Sequence, residues 1–416
     1  PDAPSWYNSS YFDEIYHPRT ALEHIEGIEP YEISHPPMGK LIMGLGIRMF
    51  GMTPFGWRFM GTLFGVAMLP LLYVFLKNLF GRTAVAACGT TLFAADFMHL
   101  TQTRIATIDT YGVFFILLMY YFLYRWLTQP AGTPFRKGAL PLFLSGLFWG
   151  IGAASKWTVI YGGLGLAVLY FIGLFFKLRD WPAGSPEEAP RRPGPWVGKT
   201  LLFSVLCFIL IPAVIYTLAY LPYAQADGDV SLGNLISVMW ENQKYMLTYH
   251  NGVHDPHPYS SRWYQWALDI RPILYYLDWQ STPGMKSAFG AFVNPVVCWG
   301  GLLALVTAVV QIFRRRCGIA LFIVIGYFSQ LAPWFAIGRT TFAYHYFPSV
   351  LFLVLALSYV FHTLLETSAP HRRGMMYGVT AGAVGLYVLF YPVLTGVMVP
   401  TWYGLNLLKW MPSWPF

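Results

Sequence analysis

"GWRFMGTLFGVAMLPLLYVFLKNLF", residues 56–80, carries one cation near its start, Arg58, and another near its end, Lys77, with nothing charged from Phe59 to Leu76. As a helix rising about 1.5 Å per residue, such a run crosses roughly 30 Å of hydrocarbon. Helix is the expected form because lipid offers unpaired backbone groups no partners. This span is expected near 57–79, and the same kind of run recurs near 84–100, 108–127, 139–154, 157–177, 200–222, 294–313, 318–337, 344–364 and 375–398.

Composition agrees, with 56% hydrophobic, 18% aromatic and only 11% charged residues, against roughly one quarter charged in a soluble domain. The expected fold is therefore an all-α polytopic membrane protein. The chain opens at Pro1 with no Met and no signal segment, and "PDAPSWYNSSYFDE" reads as the interior of a loop. A preceding helix is expected, which brings the count to about eleven spans.

Lys and Arg in short loops mark the cytoplasmic side. Lys77 and Arg82, Arg125 to Lys137, Lys177 to Lys199, Arg314 to Arg316, and Arg372 with Arg373 fall in alternate loops. The other face holds the opening segment, 101–107, 223–293 and 338–343, together with nearly all the acids. The net charge of +8 thus reflects topology and not nucleic-acid binding. Four units are expected: 1–56, an external loop with an interfacial helix; 57–222, membrane helices with a Pro-rich cytoplasmic linker near 178–199; 223–293, an external loop with short interfacial helices; and 294–416, membrane helices. The four Cys lie in or beside apolar spans without CxxC spacing, which argues against a disulfide framework or a zinc site.

Ionisable groups in a chain this apolar are functional candidates. Asp13 and Glu14 precede the first span on the external side, which also collects Arg58, Arg104, Lys156 and Arg339 at helix ends. A carboxylate can deprotonate a hydroxyl nucleophile, while guanidinium groups hold a phosphate. In "SHPPMGKL" the Pro pair forbids helix at His35 and leads into an interfacial helix, where Lys40 either snorkels to headgroups or meets a lipid phosphate. "ADFMHLTQTRIATIDTYG" crowds Asp96, His99, Arg104 and Asp109 into one hairpin, with an Arg104–Asp109 ion pair as the plainer reading. His250 and His254 have metal-ligand spacing only if helical, and Pro256 and Pro258 oppose that. "GRTTFAYHYFPS" sets Arg339, Tyr344 and His345 at the mouth of a span, where an aromatic belt is the simpler alternative.

"FDE", "HPPMGKL", "GWRFMGTLFG", "TQTRIATID", "HPYSSRWYQWALDIRPILYY" and "RTTFAYHYFPS" together resemble, in order along most of the chain, the protein O-mannosyltransferase family of phospholipid-carrier-dependent, C-type glycosyltransferases. The resemblance implies inverting transfer of mannose from a polyprenyl-phosphate carrier to Ser or Thr of secreted proteins, at the external face of a plasma membrane crossed many times. It implies Asp13, Glu14 and Arg58 as catalytic residues, and His35, Lys40, Asp96, Arg104, Asp109, Arg262, Arg339 and His345 as substrate- or lipid-phosphate-binding residues. No metal or other cofactor is expected to be required. The expected partners are the lipid-linked donor, a secreted protein or peptide acceptor and membrane lipids. Where the family often has an acid shortly before HPP, as in D-V-H-P-P, Glu32, Ile33 and Ser34 precede His35 here, which bears on acceptor choice. The large external sugar-binding-like domain of eukaryotic members is absent from 223–293, which points to a prokaryotic type.

Two other classes fit the composition. A transporter would show inverted repeats around a midplane site, but no repeat is visible and the charges gather at one face. A C-type transferase that places a lipid-linked sugar on a lipid or glycan would use the same catalytic logic.

Overall fold

The computed structural model describes residues 8, 10, 12–182, 193–366 and 370–416. A 3-10 turn at Phe12–Ile15 leads into α1 (His17–Glu26) and α2 (Met38–Phe50). The bundle follows: α3 (Pro54–Phe80), α4 (Thr83–Ala94), α5 (Phe97–Arg104), α6 (Asp109–Leu127), α7 (Phe135–Ser155), α8 (Val159–Arg179), α9 (Pro193–Val205) and α10 (Ile211–Leu218). Next come α11 (Leu221–Ala226), α12 (Leu232–Gly252), α13 (Trp263–Ala267), β1 (Ile273–Asp278) and β2 (Met285–Ala291). The chain closes with α14 (Pro295–Arg315), α15 (Gly318–Leu331), α16 (Phe347–Leu365), α17 (Pro370–Thr395) and β3 (Val399–Pro400).

Among the described residues nine helices are long and apolar enough to cross a membrane, and α4 with α5, bent by 57°, has that length and composition when the two are taken together. Each expected run falls on one of them. The bend follows from the sequence, because Asp96 accepts from the His99 backbone N–H at 3.0 Å and so caps a new helix where α4 ends. The Pro-rich stretch expected as linker is helical from Pro193 onward, because Pro at a first helical position needs no N–H partner; its residues 183–192 lie outside the described set.

Helix α16 is the axis, buried over nearly its whole length and packed by α14, α15 and α4. Gly65 allows α3 to press on α5, since a Cβ there would stand 2.4 Å from Thr103 Cβ. That contact sets the height of the 105–108 loop. Outside the bundle, α12 is one long amphipathic helix of 21 residues and not several short ones, with Leu235 and Met246 buried and Trp240 and Leu247 exposed. A small antiparallel sheet in the order β1-β2-β3, the departure from an otherwise helical chain, packs through β2 against α17 and α5. Trp414 and Phe416 pack beneath it with Phe292 and Phe390.

Candidate functional site

A 3-10 turn advances about 120° per residue, so neighbouring side chains leave it in different directions. Asp13 and Glu14 do so. Glu14 is buried and accepts two guanidinium contacts from Arg58, both at 2.7 Å, and the backbone N–H of Ala106 at 3.0 Å. Arg58 therefore ties the turn to α3 and to the 105–108 loop. The half-buried Asp13 forms no ion pair among the described residues; His17, Lys156, Asp109 and Glu32 are its charged neighbours. Burial raises its carboxyl above the ordinary range, with His17 and Lys156 pulling the other way. Phe12 holds a φ of 55°, a strained conformation for a residue with a Cβ. Its ring is gripped by Phe342 at 5.1 Å, Tyr275 at 5.6 Å, Tyr344 at 5.7 Å and His257 at 5.9 Å.

Glu32 is the hub that the sequence reading missed. Its carboxylate receives Lys40 Nζ at 2.6 Å, lies 3.2 Å from His35 Nδ1 and 3.5 Å from His17 Nδ1, and is joined by the Ser34 hydroxyl. Burial alone would raise it, but Lys40 and the two histidines hold it well below the usual carboxylate range. Lys40 also donates to the Glu32 carbonyl at 2.6 Å and is fully buried, so it neither snorkels nor reaches a lipid phosphate. An acid does stand before HPP, one residue further from His35 than in the D-V-H-P-P pattern. Burial lowers His35 to about 3 and His250 to about 4, leaving both neutral.

Asp109 opens α6, but its partner is Lys156, at the end of α7, 2.5 Å away. The expected Arg104–Asp109 pair does not form: Arg104 donates to the Leu394 carbonyl at 3.1 Å and lies over the Phe289 ring. Lys156 also sits 5.2 Å from the centre of the Tyr344 ring. Asp96 accepts from Asn294 N–H at 3.0 Å, which joins the bent span to α14 and uses both its oxygens structurally. His250 lies inside α12 but His254 does not, so their spacing is not that of two residues on a helical face. Among the described residues no group of three or more His, Cys, Asp or Glu is arranged to hold a metal ion.

His35, Lys156, His250, His254, Arg339 and His345 line a cleft of about 400 Å³ at this end of the bundle. His345 is stacked between Tyr344 at 4.4 Å and Trp266 at 5.8 Å. Among the described residues Arg339 reaches only the Thr340 carbonyl, at 3.4 Å, and the Trp334 ring. Through Trp157 and Leu247 the cleft meets an apolar groove of about 550 Å³ between α7, α10 and α12, walled by Trp149, Phe208 and Trp240. Arg262 lies outside the cleft, exposed, on a neighbouring one. Of the residues singled out from sequence, the structure brings together Asp13, His35, Asp109, Arg339 and His345, with Glu14 and Arg58 bracing the turn. His17 was missed as well as Glu32. The signal available was two further titratable side chains on the same short external segment as Asp13.

Helices that deliver a carboxylate turn, cationic helix ends and an apolar groove to one end of the bundle define a C-type glycosyltransferase fold. The yeast Pmt1-Pmt2 complex bound to the sugar donor superposes with a TM-score of 0.83 at 14% identity, over 99% of this chain and 90% of that one. ArnT from Cupriavidus metallidurans superposes at 0.58 and 16% identity, over 94% and 73%. A family model described as dolichyl-phosphate-mannose-protein mannosyltransferase matches residues 4–225, and one for the C-terminal four-helix region of protein-O-mannosyltransferase matches 235–414. The chain belongs to the protein O-mannosyltransferase family. Polyprenol-phosphate-mannose--protein mannosyltransferase of Mycobacterium tuberculosis is 27% identical over 92% of this chain and 81% of the relative.

Proposed function

We propose that this protein transfers mannose, with inversion, from a polyprenyl-phosphate carrier to Ser or Thr hydroxyls of secreted proteins at the external face of the plasma membrane. The observation that carries this reading is Asp13: among the described residues a carboxylate without an ion-pair partner, with the cleft-lining Lys156 among its charged neighbours, and beside an acid already neutralised by Arg58. Asp13 accepts the hydroxyl proton, and the hydroxyl oxygen forms the new bond to the anomeric carbon. The bond from that carbon to the phosphate oxygen breaks, and the phosphate leaves with the electron pair. Arg339, whose guanidinium meets only a carbonyl and a ring among the described residues, would hold that charge. Lys156 adds positive potential while staying on Asp109. The apolar groove takes the polyprenyl chain. Because fixed side-chain cations stabilise the leaving phosphate, the reaction proceeds without a divalent metal.

Radiolabelled transfer from polyprenyl-phosphate mannose to a Ser/Thr-rich peptide, in detergent with EDTA, tests this. Label on the peptide as the α-anomer from a β-linked donor, lost in Asp13→Asn, is expected. Donor consumption only with a lipid or glycan acceptor would move the function to that acceptor class.

A further inference from the structure

A second cleft, of about 420 Å³, adjoins the first, and His254, Gly338 and Arg339 line both. Arg262 and Arg271 are walls of its own beside the shared Arg339, with hydroxyls from Ser260, Thr340 and Thr341. Among the described residues no acidic side chain lines it. Among the described residues none of the three guanidinium groups is in an ion pair: Arg271 donates to the Pro258 carbonyl at 2.8 Å, Arg339 to Thr340, and Arg262 is exposed. Three permanent cations side by side repel one another, an arrangement that favours an anionic ligand.

The donor does not supply that ligand. Its chain needs an apolar wall, and the apolar groove opens into the first cleft through Trp157 and Leu247, whereas among the described residues Tyr264 is the one Phe, Tyr or Trp on the second. The second cleft thus lies across Arg339 from the donor's path, where an extended acceptor segment would continue past the reacting hydroxyl. We propose that this cleft binds Asp and Glu side chains flanking the acceptor Ser or Thr, so that acidic acceptor segments are preferred. This rests on the protein-acceptor reading above.

The test uses the intact protein in vesicles, with two peptides sharing one acceptor Thr and differing only in flanking Glu or Lys. The expected result is a kcat/KM ratio favouring the Glu peptide by about tenfold, as one or two partly exposed Arg–carboxylate contacts would give. Arg262→Glu, a change at an exposed position, should bring that ratio to one or below while the KM for donor stays as in wild type. Equal use of both peptides by wild type overturns the inference and leaves the transferase reading intact. An Arg262→Glu effect that falls on donor KM, or that follows the anionic lipid content of the vesicle and not peptide charge, overturns it in favour of a phosphate or membrane contact. Transfer to neither peptide, with no charge-dependent peptide binding, removes both readings together.

Discussion

Arg58 meets Glu14 edge to edge, Nε to Oε1 and Nη2 to Oε2 at 2.7 Å each, across 44 residues of chain. With Ala106 N–H on the same carboxylate, the pair joins the turn that carries Asp13 to two bundle elements. Breaking one side of a buried pair costs about 3–5 kcal/mol. Arg58→Ala and Glu14→Gln should each lower the melting temperature in detergent and suppress transfer, and the double variant should lose much less than the sum of the two. Additive losses would show that the two residues act separately.

Asp13→Asn keeps the size of the side chain and removes the base. Turnover is expected to fall about 10²- to 10⁴-fold, with donor affinity and melting temperature near wild type. Full activity in this variant would exclude Asp13 as the base.

The pH dependence follows from the same carboxyl. Asp13 works deprotonated and is held above its ordinary value of 3.8, so kcat/KM should fall with acid through an apparent pKa above 3.8. Lys156→Met removes one of the charges that pull this carboxyl down and should move the acid limb to still higher pH. A limb at or below the ordinary carboxylate value, unmoved in that variant, would contradict the assignment.

Glu32 governs stability in a different pH range. Its folded-state pKa is depressed, so its contribution is present above its ordinary value of 4.5 and is lost as pH falls towards the folded value. Lys40→Met strands the buried carboxylate, at a cost of about 3–5 kcal/mol near neutral pH. It should also flatten the acid side of a melting-temperature profile, which thermal scans from pH 7 downward would show.

At Gly65 a methyl group would collide with Thr103, so Gly65→Ala forces α3 and α5 apart. A loss of about 1–3 kcal/mol is expected, together with reduced turnover because the 105–108 loop moves. Thr103→Ser keeps the Cβ at 2.4 Å and the hydroxyl at 2.7 Å, so thermal scans and transfer assays of the double variant should show little rescue.

The membrane helices were legible because length and hydropathy are local properties: every expected run, from 57–79 to 375–398, falls on a span. Asp13, Arg339 and His345 were legible because charge and aromatic rings at helix mouths stand out against oil. Pairings were not. Asp109 has Arg104 five residues away in sequence but takes Lys156, 47 residues on, because α7 ends beside the start of α6. Glu32 escaped notice through a one-residue offset before HPP. The sheet escaped because β3 is two residues long, and its partner strand lies more than a hundred residues earlier.

Pairing of β3 with β2 has a consequence in time. Met285 and Lys286 align with Pro400 and Val399, and Trp414 Nε1 donates to the Asp269 carbonyl at 2.9 Å while Ser413 grips Ile270. The segment holding Arg262 and Arg271 is therefore clamped by residues that leave the ribosome after helices α3 to α17 have been made. A nascent chain would carry α3 to α17 before it had a finished mouth, which delays competence until translation has passed Trp414.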